Sequence, residues 1–345
     1  MPVYLDSDRS GQSSPGSFTW PRRRPPAQRL EPSSRCIRIG LINNMPHAAF
    51  TATERQFISI LDSASEDVSV HLSFYSLAGI PMPEPGVDNA GNVYLSVDGL
   101  METSLDGLIV TGKEPITPNL KDEPCWESFT QVLEWARENT YSTVWSCLAA
   151  HAAVLHLDGI TRRLSREKHF GVFECMRVSD HALMEGAQPP FHVPHSRWNG
   201  VPEEDLVANG YSVLTRTVRS DVDTFVKEEN SLFVFFQGHP EYDSDTLLRE
   251  YRRDVGRYLR NEANSYPLLP HGYFDRATES ALTSLREEAM SCRSEDLFTS
   301  VGTALETARI TNTWRPAGEG IYRNWLQHIS ARKLERQFDG DAIVA

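Results

Sequence analysis

A chain of 345 residues, 40% hydrophobic and 23% charged, can bury a substantial core and fits one large domain or two smaller ones. Its 34 basic and 47 acidic residues leave a formal charge of -13, the wrong sign for a chain whose main partner is a nucleic-acid backbone, because phosphate binding draws on clustered Lys and Arg. No stretch approaches the roughly 20 apolar residues that cross a bilayer and no secretory signal is visible, so a cytoplasmic protein without membrane or nucleic-acid partners is expected.

Residues 1–35 are rich in Ser, Pro, Gly and Arg, with the basic run Pro21-Arg22-Arg23-Arg24-Pro25-Pro26, and predict a disordered or loosely attached extension. From Cys36 onward short β-rich runs alternate with helical ones, the pattern of a mainly parallel sheet flanked by helices. Ile37 to Asn43 predicts the first strand. Thr53-Glu54-Arg55-Gln56 has the spacing of a capping box, with Phe57, Ile58 and Leu61 on one helical face behind it. Val68, Val70, Leu72 and Phe74 alternate as in a half-exposed strand, and Asp106 to Gly112 predicts a buried strand running into a glycine turn. Phe129, Val132, Leu133 and Ala136 mark the next helix. Thr143-Val144-Trp145 predicts a short strand and Leu148 to Leu157 a helix, which leaves Ser146-Cys147 on the turn between them. Leu232 to Phe236 predicts a later core strand ending at Gln237-Gly238-His239-Pro240-Glu241. Beyond about residue 260 the chain is helical and irregular, with a polar insert over 276–309 and an aromatic helix around Tyr322 to Leu326. The expected organisation is therefore an extension over 1–35, an α/β domain over 36–274 and a helical appendage over 275–345 packing on it.

Open parallel sheets gather ligands at the carboxyl ends of their strands. Cys147 falls at one such end, where the following helix directs N–H groups and partial positive charge at the sulfur and where the Leu148 N–H could hold an oxyanion. His239 and Glu241 fall at another, with the spacing of a base and the carboxylate that fixes its tautomer. Together they predict a Cys147-His239-Glu241 triad. The remaining cysteines, Cys36, Cys125, Cys175 and Cys292, show neither a framework spacing nor a C-x-x-C pair. His192-x-x-His195 is interrupted by Pro194, and no metal site is expected.

Several motifs in order, Trp145-Ser146-Cys147-Leu148-Ala149-Ala150-His151, Glu167-Lys168, Pro194-His195-Ser196-Arg197 and Gly238-His239-Pro240-Glu241-Tyr242-Asp243 with Glu250-Tyr251-x-Arg253-Asp254, resemble the homoserine O-succinyltransferase family of methionine biosynthesis. The resemblance runs from about Ile37 to Phe274 and resumes at Thr313-Trp314-Arg315 and Asn324-Trp325-Leu326. It implies a fold like that of class I glutamine amidotransferases, and acylation of Cys147 by succinyl-CoA or acetyl-CoA as co-substrate. His239 would then be the base, Glu241 would orient it, and the oxyanion would lie between Leu148 and Gly112. It also implies Lys168, Ser196 and Arg253 against the amino-acid substrate, Ile116 at the position that sets acyl-donor choice, no permanent cofactor, and a homodimer.

Two features depart from the family pattern. His47 and Ala48 stand where a pair of lysines usually follows Asn44-Met45-Pro46, and Gly112-Lys113-Glu114-Pro115-Ile116 replaces a Gly-Ala-Pro run. Ile116 would narrow the donor pocket toward acetyl while Lys113 could pair with a succinyl carboxylate, which leaves donor choice open, as is homoserine against serine, one methylene apart. The alternatives are a class I glutamine amidotransferase, disfavoured by Trp145 and Ala149 where glycines usually flank the cysteine, and a catalytically silent binding protein on the same fold.

Overall fold

The computed structural model describes residues 3–5, 36–66, 68–81, 94–219 and 221–344. Its first half comprises β1 (Val3–Leu5), β2 (Cys36–Ile42), α1 (His47–Ala64), β3 (Ser69–Tyr75), β4 (Tyr94–Leu95), α2 (Val97–Met101), β5 (Gly107–Val110), α3 (Trp126–Asn139), β6 (Ser142–Ser146) and α4 (Leu148–Asp158). There follow β7 (Arg163–Arg177), β8 (Phe191–Gly200), α5 (Glu203–Ala208), β9 (Ser212–Val213), β10 (Thr215–Thr217), β11 (Thr224–Glu228), β12 (Leu232–Phe236), α6 (Thr246–Leu259), α7 (Arg276–Ser291), α8 (Asp296–Glu306) and α9 (Arg315–Val344).

The main sheet has the order β1-β3-β2-β5-β6-β12-β11-β9, with β4 pairing β3. Pairing is parallel from β1 through β12 and antiparallel at β11 and β9. Gly-Leu-Ile-Val in β5 and Leu-Phe-Val-Phe-Phe in β12 are buried at every position, as strands covered on both faces must be. One face packs on α1 and on Ile321, Tyr322, Trp325, Leu326 and Ile329 of α9; the other packs on α2, α3 and α4. This is the expected α/β arrangement. A smaller antiparallel sheet, β10-β7-β8, stands beside it, and α6, α7 and α8 share a third apolar cluster. No helix among the described residues is long and apolar enough to cross a membrane.

Three details differ from the sequence reading. Val3 and Leu5 are buried in an edge strand parallel to β3, inside the span expected to be loosely attached; the rest of that extension, with its basic run, lies outside the described residues. Helix α1 begins at His47 behind Pro46, a residue suited to a helix start because its ring fixes φ and it has no N–H to satisfy. Thr53 and Gln56 are thus interior, and Gln56 donates to Thr246 Oγ1 at 2.7 Å instead of closing a cap. Lastly, the closing helix does more than pack on the core, since its aromatic face forms part of the core layer itself.

Because β2, β5, β6 and β12 are neighbours running the same way, Asn43-Asn44, Thr111-Gly112, Cys147 and Gln237 to Glu241 emerge together at one edge, where this class of sheet gathers its chemistry.

Candidate active site

Cys147 occupies the turn between β6 and α4 with φ 53° and ψ -112°, a conformation that costs a non-glycine residue strain and tends to persist at functional positions. Its N–H donates to Phe236 O at 2.7 Å, which ties the turn to the end of β12, and the residue remains partly exposed. The helix behind it opens Leu148-Ala149-Ala150-His151-Ala152-Ala153, all buried, and ends at Gly159 with φ 68°, a left-handed cap that glycine takes without strain. Gly112, at the end of β5, lies against this turn so closely that a Cβ there would be 2.7 Å from Leu148 N. The two backbone positions expected to flank the oxyanion are therefore side by side.

His239 and Glu241 are brought to the same place. His239 Nδ1 is 2.8 Å from Glu241 Oε1, which leaves Nε2 for the sulfur, and Cys147 is near enough to act on the ring electrostatically. Burial opposes the imidazolium, but the Glu241 carboxylate and then the Cys147 sulfur outweigh it and hold His239 well above the ordinary histidine range. The His239 N–H donates to Pro194 O at 2.8 Å, and Ser146 Oγ donates to Glu241 Oε1 at 3.5 Å.

A second line of contacts runs outward from His239. Tyr242 stacks on the imidazole with centroids 4.2 Å apart and planes 15° from parallel. Its hydroxyl donates to Glu250 Oε1 at 2.7 Å, and Ser196 Oγ donates to Glu250 Oε2 at 2.5 Å. One helical turn beyond Glu250, Asp254 accepts from Lys168 Nζ at 3.3 Å and from Arg253 Nε at 2.8 Å. Lys168 also lies 4.2 Å from the centroid of the Phe170 ring, and its side chain is largely covered, whereas that of Arg253 is 46% exposed. Lys168, Ser196 and Arg253 thus share one acidic face of α6, linked through Tyr242 to His239. Tyr242 and Glu250 lie inside the sequence motifs, yet nothing in their spacing marks them as the connection, because it forms only when α6 folds back over β8.

The loop after β5 carries a third set. Lys113 is paired with Glu123, and Glu123 Oε1 also accepts from the N–H groups of Ile116 and Thr117, at 2.8 and 2.7 Å. Burial raises the Glu123 carboxyl, but Lys113 and Thr117 overcome it and bring it down to about 2. A cavity of about 40 Å³ lies here, lined by Asn44, Gly112, Lys113, Glu123, Leu148 and Ala149 among others. Ile116 is outside that lining and 72% exposed, so its bulk does not narrow this space. His47 and Ala48 are exposed at the start of α1, and Asn44 fastens the preceding turn to Thr111 through bonds of 2.8 Å to its Oγ1 and its carbonyl.

Two buried histidines lie behind the site. His151 Nε2 is 3.0 Å from Gln237 Oε1, which also accepts the Val201 N–H, and burial presses His151 down to about 3. His195 has a partner that sequence spacing did not reveal. Its Nε2 faces Asp223 Oδ1 at 3.2 Å, with Cys175 close by, so one ligand atom from each of the three lies within 4.8 Å of the others. Arg197 Nε donates to His195 Nδ1 at 3.2 Å, which puts the ring proton on Nε2, directed at Asp223. Burial carries the Cys175 thiol far up and His195 down to about 4.

A profile of the homoserine O-succinyltransferase family matches residues 25–335. The chain belongs to that family. Members similar to it include the homoserine O-succinyltransferases of Methylorubrum extorquens, 40% identical over 332 residues and 96% of each chain, and of Rhodopseudomonas palustris, 42% identical over 299 residues, 87% of this chain and 90% of that one. Among solved structures, a glutamine amidotransferase from Methylobacillus flagellatus aligns over 86% of this chain and 96% of its own with a TM-score of 0.47 and 15% identity. Membership makes the chain an acyltransferase, and Cys147, His239 and Glu241 lie together at the carboxyl edge of its main sheet.

Proposed function

We propose that the protein is a homoserine O-succinyltransferase that works by a ping-pong mechanism through a thioester on Cys147. The observation that carries the reading is the strained Cys147 turn meeting the His239-Glu241 pair. The Cys147 thiolate attacks the thioester carbon of succinyl-CoA, and the oxyanion faces the Leu148 and Gly112 N–H groups. Collapse expels the CoA sulfur, which takes the His239 Nε2 proton and leaves as the thiol. The homoserine hydroxyl then gives its proton to His239 Nε2 and attacks the Cys147 thioester. Expulsion of the thiolate releases O-succinylhomoserine and restores the starting pair. Lys168 and Arg253 suit the substrate α-carboxylate, and Ser196 with Glu250 offers an acceptor face to the α-ammonium. The succinyl donor is supported by the relatives' activities, and Ile116, turned to solvent, gives no argument for the smaller acetyl group.

The test is intact-protein mass spectrometry after incubation with succinyl-CoA or acetyl-CoA. The expected result is a succinyl adduct on the wild-type chain, absent from Cys147→Ala and discharged by homoserine in preference to serine. An adduct on Cys147→Ala would overturn the nucleophile. Absence of any adduct or CoA release, with ammonia released from glutamine, would favour the amidotransferase reading.

A further inference from the structure

Helix α9 meets the catalytic turn along one stripe. Trp314, just before the helix, donates its indole N–H to Tyr242 O at 2.8 Å. Gly318 follows four residues later, and a Cβ there would stand 2.6 Å from Pro240 O, so only glycine admits this approach. After four more residues Tyr322 packs its ring 6.0 Å from that of Phe236. Its hydroxyl and Glu241 Oε2 are both buried and unpaired among the described residues. Residues spaced by four lie on one helical face, and the two carbonyls on this face, Pro240 O and Tyr242 O, are those on either side of Glu241.

The helix is itself held rigidly. Arg315 Nη2 donates to Ser59 O at 2.9 Å, Asn324 Nδ2 donates to Leu183 O at 3.0 Å, and Trp325 Nε1 donates to Ser142 Oγ at 2.8 Å. The catalytic turn therefore rests on an element fixed to α1, to the segment before β8 and to the central strand β6.

We propose that Trp314 and Gly318 are positioning residues for the triad: they hold the backbone on both sides of Glu241 so that Oε1 meets His239 Nδ1. This rests on the triad reading above. Neither residue touches substrate. Displacement of the Glu241 backbone by a fraction of an ångström would loosen the ring that must deliver a proton to the departing CoA, and misplacement of about 1 Å can cost roughly a hundredfold in rate.

The experiment compares Gly318→Ala, Trp314→Phe and Glu241→Gln for kcat, for KM toward both substrates, for melting temperature and for the pH profile of the CoA burst. Because the burst uses protonated His239, it declines as pH rises through the histidine's raised pKa. Loss of the Glu241 charge moves that decline to lower pH. Gly318→Ala is expected to lose about tenfold to a hundredfold in kcat with both KM values little changed, and to shift the decline in the direction of Glu241→Gln. Trp314→Phe, which keeps an aromatic ring and removes one donor, should do the same to a smaller extent. A crippled Glu241→Gln beside Gly318→Ala and Trp314→Phe enzymes with wild-type kcat and burst profile, altered only in melting temperature, would overturn the inference alone. Wild-type turnover in Glu241→Gln would overturn the triad reading and the inference with it. Should Gly318→Ala not fold, the Trp314→Phe profile decides in the same terms.

Discussion

Gly112 is where the smallest structural change should have a large chemical consequence. Its backbone presses on the first turn of α4, and in the proposed mechanism the missing side chain would allow the Leu148 N–H and its own N–H to share one oxyanion. A methyl group there would sit 2.7 Å from Leu148 N and 3.0 Å from Ser146 O, both main-chain atoms that cannot rotate away. Gly112→Ala is therefore expected to lower kcat about a hundredfold or more, the loss typical of a removed oxyanion donor. KM toward homoserine should change little, because Lys168, Ser196 and Arg253 lie on other elements. Steady-state kinetics with succinyl-CoA decide this: a variant with wild-type kcat would remove Gly112 from the oxyanion role.

The elements that carry the chemistry differ in how openly the sequence displays them. Cys147 is legible because an apolar strand, a cysteine and an alanine-rich helix follow one another within a dozen residues, and His239-x-Glu241 is legible because it closes an unbroken apolar strand. The β7-β8 pair is not, since Arg163 to His169 and His192 to Arg197 mix charge and exposure without alternation, and Pro194 breaks the pattern although it pairs with Val172. Only tertiary contact gives this sheet its meaning, placing Ser196 and Lys168 opposite Glu250 and Asp254 of α6. Lys168 is accordingly held ready by Asp254, and a substrate α-carboxylate would join the pair as a second anion on the same ammonium. Lys168→Ala is expected to raise KM for homoserine about tenfold to a hundredfold, the worth of a hydrogen bond to a charged group. KM for succinyl-CoA should hold. A parallel rise in both would place Lys168 in general stability of the site, not in acceptor binding.

Across the whole molecule, the parts the sequence obscured are those that close the fold on itself. Val3 and Leu5 lie in a polar stretch that gives no strand signal, and the core role of α9 is hidden because Ile321, Tyr322, Trp325 and Ile329 are separated by Arg, Asn, Gln and His. The same closure buries histidines that cannot afford a charge. His151 and His195, pressed to about 3 and about 4 from the ordinary 6.5, stay neutral in the folded protein while the unfolded chain protonates them. Their contribution to stability is therefore complete above pH 6.5 and is lost as pH falls toward about 4, at about 1.4 kcal/mol per pH unit for each. His169, His181 and His328, also lowered by burial, act in the same direction. His239, raised by Glu241 and Cys147, acts in the opposite one: its contribution is present below 6.5 and is lost as pH rises through its folded value. With five lowered histidines against one raised, unfolding free energy from urea titrations should fall steadily between pH 6.5 and 4. His195→Gln should make that slope shallower even though it weakens the protein at neutral pH, because one proton-linked cost is gone. A slope unchanged in the variant would mean that His195 is already charged in the folded core, against its complete burial and the Arg197 guanidinium beside it.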